Sequence, residues 1–513
     1  MKHSDGSAID VRTHILQTLW CRAGLALAYP SGIPTDAVIT SLTDDSRRVG
    51  PGSLFVAVRG TNCDGHRYIE QAVLAGAAAV VVDQDAKTFG NATYLRVQDS
   101  RAALGRLAAA FYGLHERPAD KLKLIGVTGT NGKTTVAWML RSILQAAGEK
   151  AALLGTIEYD LIGDRVAAPL TTPGPVDLCR HLAAAAAAGA RCAVIEVSSH
   201  ALDQRRTEGL RWAVGVFTNL SGDHLDYHGS MDAYAAAKRR LFEQLDSRAT
   251  AVVNDDDPAT ASVTATTRAS LLRFGLNGGA CEVGATIESM TASGSQFIIR
   301  FEDGAVPVRI GLVGRHNISN ALAAAAAGRA LGLSPEAVRL GLDSLGGVPG
   351  RLQRVAPEES PFSVLVDYAH TDDALRNVLQ AIRPLTAGRL RCVFGCGGDR
   401  DRGKRPRMAA VVQELADVAY VTSDNPRTEE PQAIVDEILR GFRPHAAEGV
   451  RVDVDRRSAI ARAIAEAEPG DTVLIAGKGH EDYQIVGDEV LPFDDATVAR
   501  ECLETAVTAG GVA

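Results

Sequence analysis

The chain has 513 residues, a net charge of −8 and a hydrophobic fraction of 46%, which is the length of about three domains with the balance of an ordinary globular protein. With no basic tract, the mild acidity argues against nucleic-acid binding by phosphate neutralisation, although local arginines could still hold an anionic substrate. No apolar run approaches the roughly 20 residues that cross a bilayer, Met1-Lys-His-Ser-Asp5 has no apolar signal core, and eight cysteines without a Cys-x-x-Cys pair suit a reducing cytoplasm.

Residues 1–118 form the first expected domain, closed by the turn signal Glu116-Arg117-Pro118. Asp45-Ser46-Arg47-Arg48 precedes a turn and strand over Pro51–Val58. The loop Gly60–His66, a helix over Tyr68–Gly76 and an apolar strand over Ala78–Val82 follow. Alternating strands and helices predict a small α/β domain, and these residues alone suggest no chemistry.

Residues 119–345 form the second. An apolar run over Leu122–Val127 reads as a buried parallel strand, and Gly129-Thr-Asn-Gly-Lys-Thr134 follows, opening a helix. Strand, glycine loop, Lys-Thr and helix make a phosphate cradle: backbone N–H groups turn toward phosphate oxygens, Lys133 reaches them, and the Thr134 hydroxyl ligates Mg²⁺. Val127 stands where the longer form of the motif has a further glycine. Leu170-Thr-Thr-Pro-Gly174 suits a loop that bonds an anion or a sugar, and also an ordinary turn. Cys192–Val197 is a buried strand carrying one carboxylate, Glu196, which needs a cation or hydrogen-bond donors. Mg²⁺ shared with a nucleotide is the natural partner at a strand's carboxyl end. Asn219-Leu-Ser-Gly-Asp-His-Leu-Asp-Tyr-His228 is a metal or substrate loop after another strand. The helix over Met231–Leu245 carries Lys238, which by spacing alone reads as part of a solvated face. A β-rich segment over 264–310 leads to Gly314-Arg-His-Asn317 and an alanine-rich helix, whose breaks at glycine read as close packing rather than a membrane span.

Residues 346–513 form the third. Strands over Ser363–Asp367, Arg391–Phe394, Val418–Thr422 and Thr472–Ala476 each run into a polar, charged or glycine loop. This predicts a doubly wound α/β domain with its functional edge at the strands' carboxyl ends, where Arg400, Arg402, Lys404, Arg427 and Lys478 gather.

Together Gly129–Thr134, Glu196-Val-Ser-Ser-His200, Thr218-Asn219 with Asp223-His224-Leu-Asp226, Gly314–Asn317 and Asp367-Tyr-Ala-His370 resemble the Mur ligase family, the ATP-dependent amide ligases of peptidoglycan synthesis, over nearly the whole chain. Asp424-Asn-Pro-Arg427 and Gly477-Lys-Gly-His-Glu481 resemble the branch that adds meso-diaminopimelate, not L-lysine, to UDP-MurNAc-L-Ala-D-Glu. The resemblance implies a central P-loop-type ATPase domain with a mostly parallel sheet, a Rossmann-like C-terminal domain and a small N-terminal one. It implies ATP bound through Gly129, Thr130, Asn131, Gly132, Lys133, Thr134, Thr135, Asn317, Arg351 and Asp367. It implies catalysis by Lys133, Glu196, His224 and Lys238, with Mg²⁺ on Thr134, Glu196, His224 and a carbamylated Lys238, reversing the solvated reading of that lysine. The sugar dipeptide would meet Ser46, Thr61, Asn62, Cys63, Thr171, Thr172, Ser198, Gln204 and Arg206. Diaminopimelate would meet Arg400, Asp424, Asn425, Pro426, Arg427, Gly477 and Glu481. A cytoplasmic monomer is expected. A lysine-adding or folylpolyglutamate-synthetase-like ligase, a nucleotide-gated binding module and a P-loop kinase stay open as alternatives.

Overall fold

A computed structural model of the chain describes residues 13–26, 36–60, 63–115, 122–277, 281–357, 359–443 and 449–509. The chain divides into two compact units, one of residues 1–133, 148–253 and 257–272, the other of residues 134–147, 254–256 and 273–513. The turn expected at 116–118 lies outside the described residues.

The first unit holds an antiparallel pairing of His14–Ile15 with Val38–Ile39 and two larger sheets. In the smaller, Ser41–Thr43, Ser53–Val56, Ala77–Val82 and Thr93–Arg96 pair in parallel in chain order. Successive side chains of a strand point to opposite faces. Leu54 and Val56 accordingly join the buried cluster containing Leu104 and Leu107 of the helix Ser100–Phe111, while Phe55 and Ala57 join Ile69 and Ala72. Both faces are covered, which is why these strands read as continuous apolar runs. The helix expected over Tyr68–Gly76 forms as a 3-10 turn, Gly65–Tyr68, and a helix, Ile69–Leu74.

Within this unit the strands of the larger sheet run in spatial order Arg165–Ala167, Glu158–Asp160, Ala151–Leu154, Cys192–Glu196, Lys123–Thr128, Trp212–Phe217, Thr250–Asn254. Its five central and later strands are parallel, with an antiparallel hairpin at one edge. Register sets Glu196 beside Val127 and Phe217 beside Thr128, so the carboxyl ends of three strands finish level with one another. Ligands of open parallel sheets gather at that edge.

In the second unit, Val283–Thr291, Gly294–Phe301 and Gly304–Ile310 form an antiparallel meander, and every residue over 321–327 of the helix Arg315–Ala330 is buried. Among the described residues no helix is long and apolar enough to cross a membrane. A six-stranded sheet follows, in the order Gln353–Arg354, Ser363–Asp367, Thr472–Ala476, Leu390–Phe394, Val418–Val421, Val450–Val452, parallel except at its first pair. Leu365, Cys392 and Leu474 belong to one core and Val364, Val393 and Val473 to another. Cores on both faces make this the doubly wound sheet that the four apolar runs predict.

Candidate active site

Gly129 closes the glycine loop over its neighbours. Its φ is +152°, and a Cβ there would lie 1.9 Å from Oγ1 of Thr218. Thr218 and Asn219 clamp the loop: Thr218 Oγ1 donates to Asn131 O at 2.6 Å, Thr130 N to Asn219 O at 2.8 Å, and Asn131 N to Asn219 Oδ1 at 3.0 Å. Lys133 folds back on the loop, its Nζ donating to Gly129 O (2.9 Å) and Thr130 O (2.8 Å). Phosphate oxygens could take over those bonds without moving the backbone. Gly132 also has positive φ, and Thr134 and Thr135 are buried in the first turn of the helix Lys133–Ala146.

Glu196 is fully buried, not solvent-facing. Thr156 meets both its oxygens, with N at 2.9 Å from Oε1 and Oγ1 at 2.9 Å from Oε2. The same Thr156 hydroxyl lies 3.2 Å from Oγ1 of Thr171. Thr172 Oγ1 donates to Glu196 O at 2.7 Å and accepts from Ser198 N at 3.1 Å. Arg206 donates to Thr172 O and, through Nε and Nη2, to Gln204 Oε1. One bonded patch therefore joins Glu196, Thr171, Thr172, Ser198, Gln204 and Arg206.

Lys238 corrects the reading from helix spacing: it is 1% exposed, not solvated. The helix Met231–Glu243 turns this face inward. Burial, and then the charge of Lys133, push the amine well below the ordinary lysine range, with Asp223 opposing. Among the described residues its Nζ has no hydrogen-bond or ion-pair partner and lies 4.2 Å from the ring of Tyr234. His224, at φ +54°, packs edge-on against Tyr234 and His200, with ring centroids 6.3 and 4.9 Å away.

Ser46 stands in the turn Ser46–Arg48, bonded to Gln71 at 3.3 Å, and Arg48 of that turn pairs with Asp177 just after the Thr-Thr-Pro-Gly loop. Cys63 is exposed, 3.3 Å from the Tyr68 hydroxyl. Thr61 and Asn62 lie outside the described residues, as does the side chain of Asp226.

In the second unit Asp367 ends its strand buried, accepting from Leu352 N (2.7 Å) and Ala369 N (2.9 Å). Burial raises its carboxyl above the usual range, against the pull of Arg351. This holds the turn that bears Arg351, whose Nη2 donates to Thr134 Oγ1 at 3.3 Å. Asn317 is buried and donates to Val313 O at 2.8 Å.

The loops after Val418–Val421 and Thr472–Ala476 meet. Asn425 Nδ2 donates to Glu481 Oε2 at 2.8 Å. Asp424 and Pro426 are buried beside it, and a Cβ on Gly477 (φ +121°) would lie 2.8 Å from Asp424 Oδ2. Arg427, at φ +53°, donates through Nη1 to Gly398 O at 2.8 Å. Of the expected amino-acid residues, Arg400 alone is exposed on the rim.

Three family models match the chain: Mur ligase family, catalytic domain, at residues 38–112; Mur ligase middle domain at 127–328; and Mur ligase, glutamate ligase domain, at 350–479. The UDP-N-acetylmuramoyl-L-alanyl-D-glutamate--2,6-diaminopimelate ligase of Synechococcus elongatus is 46% identical over 495 residues, spanning 95% of this chain and 98% of that protein. The chain belongs to the Mur ligase family. The ligase of the same name from Geobacter metallireducens is 45% identical over 477 residues, covering 89% of this chain and 92% of that protein. A solved structure of a ligase so named, 31% identical, covers 96% of this chain and 99% of its own with a TM-score of 0.70. MurF from Acinetobacter baumannii, at 22% identity and a TM-score of 0.60 over 91% of this chain and 96% of its own, shares the fold.

This Mur ligase also has site neighbours that motif reading missed. Tyr234 lies one helical turn before Lys238, and that i, i+4 spacing was a usable signal. Thr156, on a loop 40 residues from Glu196, gave none. Nor did Arg456 and Asp495, both fully buried and paired at 2.7–2.8 Å, with the guanidinium also bonding Ser423 O and Ala476 O at the two strand ends.

Proposed function

We propose that the chain is an ATP-dependent amide ligase that adds meso-2,6-diaminopimelate to UDP-MurNAc-L-Ala-D-Glu, releasing ADP and phosphate, as a cytoplasmic monomer in peptidoglycan precursor synthesis. Its three domains are taken as 1–118 for the UDP-sugar, 119–345 for ATP and 346–513 for the amino acid. The observation that carries this reading is the meeting of Asn425 with Arg427 and with Glu481 at the strand ends of the second unit: two donors and one acceptor suit a carboxylate and an ammonium together.

A carboxylate is a poor acyl donor because oxide leaves badly. Attack of a carboxylate of the sugar dipeptide's D-glutamate on the γ-phosphorus of ATP forms an acyl phosphate and expels ADP. The amine of the incoming amino acid then attacks the acyl carbon, loses a proton and expels phosphate. The loop from Gly129 to Lys133 would hold the phosphates, and Lys133 would neutralise the charge that develops on them. Asn317, Arg351 and Asp367 would contact the nucleotide. Thr171, Thr172, Ser198, Gln204 and Arg206 would orient the peptide end, and Ser46 with Cys63 the UDP-sugar.

The residues fit magnesium. Among the described residues no group of three His, Cys, Asp or Glu could hold a metal alone. A magnesium on phosphate oxygens needs only one or two protein ligands. The Glu196 carboxylate, the Thr134 hydroxyl and His224 are of the right kind. A buried amine shifted toward its neutral form can take up CO₂, so Lys238 would become an anion able to join them. Bound there, magnesium would screen charge on the transferring phosphoryl group.

A substrate panel tests the reading: ATP and UDP-MurNAc-L-Ala-D-Glu are supplied with diaminopimelate, lysine or ornithine and scored for new amide and released phosphate. Amide with diaminopimelate alone is expected. Amide with lysine would move the chain to the lysine-adding branch, and a phosphorylated product without amide would make it a kinase.

A further inference from the structure

Asn425 has a side chain with two faces, and the protein occupies one of them. Its Oδ1 accepts from Lys478 Nζ at 3.1 Å and from Ile485 N at 3.0 Å. Both partners are donors, so the amide can point only one way round. One Nδ2 hydrogen is spent on Glu481 Oε2. Lys478 Nζ also reaches that same Oε2, at 3.3 Å. The other Nδ2 hydrogen and Oε1 of Glu481 are left without a hydrogen-bond partner among the described residues. Lys478 is 0% exposed, so it acts from beneath the site and is shielded from solvent.

We propose that Lys478 is a positioning residue that locks the amide of Asn425 with an N–H, and the carboxylate of Glu481 with one oxygen, free for the amino-acid substrate, and thereby sets its selectivity for a dicarboxylate amine. The free N–H suits a carboxylate and the free oxygen suits an ammonium. Arg427 adds donors of its own, since among the described residues its guanidinium is committed only through Nη1, to Gly398 O and Asn425 O. The hairpin of Tyr483–Val486 and Glu489–Pro492 backs the same loop: Arg427 N donates to Ile485 O, Gly487 N to Arg427 O, and Gln484 Nε2 to Asp424 O. These bonds hold Arg427 in its left-handed conformation, which a residue with a side chain adopts only when its surroundings enforce it. Without Lys478 the Asn425 carbonyl keeps only the N–H of Ile485 and the Glu481 carboxylate loses its cation, so the amide and the carboxylate are held less firmly and the N–H is no longer presented in one place.

The proposal deepens the amide-ligase reading and rests on it, so the unmodified enzyme is assayed first. No amide from any amine would end that reading and leave the positioning claim without a subject. Given an active enzyme, Lys478→Met and Asn425→Asp are compared for KM of diaminopimelate, ATP and the sugar dipeptide, for kcat, and for the diaminopimelate-to-lysine ratio. Asn425→Asp keeps shape but offers oxygen where the N–H stood. Each variant is expected to raise the KM of diaminopimelate roughly tenfold or more, to lower the selectivity ratio, and to leave the KM of ATP and of the sugar dipeptide within about twofold. Because Lys478 acts through Asn425, the double variant should fall well short of the product of the single effects. Should Lys478→Met fail to fold, Asn425→Asp still decides the matter: unchanged KM and selectivity there would show that the carbonyl faces the substrate and overturn the proposal. Equal losses for all three substrates in a folded Lys478→Met, or single effects that multiply, would overturn it as well.

Discussion

The hydroxyl of Tyr234 donates to Oγ1 of Thr130 at 3.2 Å, tying the helix that carries Lys238 to the glycine loop. Thr130 Oγ1 also accepts from Ser221 N at 3.0 Å, so this one oxygen joins the glycine loop, the loop that carries Asp223 and His224, and the lysine helix. Burial pushes the tyrosine hydroxyl up to about 12, and it therefore stays a donor throughout the working range. Tyr234→Phe keeps the ring under Lys238 and removes the bond, at a cost of about 1 kcal/mol. If that cost falls on the ordered loop, ATP binding weakens about fivefold. Calorimetric titration of the nucleotide measures this, and an unchanged affinity would disconnect Tyr234 from the loop.

Lys238 offers a chemical test of the carbamate. Lys238→Ala should lose nearly all ligase activity and regain part of it with added short carboxylates such as acetate, which can enter the space and supply the missing anion. Rescue should saturate with carboxylate concentration and be absent with chloride at equal ionic strength. Activity that stays flat across the titration would count against an anion at this position.

The Arg456–Asp495 pair predicts a large and asymmetric stability effect. Both side chains are 0% exposed. Removing one partner of such a pair leaves a buried charge and costs about 3–5 kcal/mol, whereas replacing both by apolar groups costs far less. Asp495→Asn should therefore shift the denaturation midpoint strongly, and Arg456→Met with Asp495→Leu should recover part of that shift, the rest reflecting the Ser423 and Ala476 carbonyls that lose the guanidinium. Similar losses in the single and double variants, measured in urea, would contradict the account.

Glu429 predicts an acid limb. The guanidinium of Arg405, fully buried, holds its carboxyl down at about 2, helped by the backbone N–H of Asp399. A carboxylate depressed in the folded state stabilises it above the unfolded value of 4.5, and that contribution is lost as pH falls from there toward about 2. Glu429→Gln should flatten the stability curve in this window and leave the slope above pH 5 alone. An acid limb as steep as in the unmodified protein would assign it to other carboxylates.

Much of this molecule is legible along the chain because its signals are local. Gly129 to Thr134 announces a tight strand-to-helix turn through glycines of positive φ, and the four apolar runs near the C-terminal end announce a sheet buried on both faces. Glu196 is legible for the same reason, as one carboxylate inside an apolar strand. Lys238 is not: a lysine on a helix is solvated unless something covers it, and the cover, Tyr234 with the strands behind it, is a fact of packing.

From residue order alone came the α/β class, the loops at the strand ends and the identity of most candidate contacts, since each depends on neighbours a few positions away. Folding alone decided which of those groups are committed. Thr156 finds Glu196 across 40 residues, Lys478 finds Asn425 across 53, and Arg456 finds Asp495 across 39. Such pairings arise where strand ends converge on one edge of a sheet, and burial there makes every unpaired polar atom costly. That cost, felt only once the chain is packed, is what turns a set of motif residues into a site with particular donors and acceptors left open.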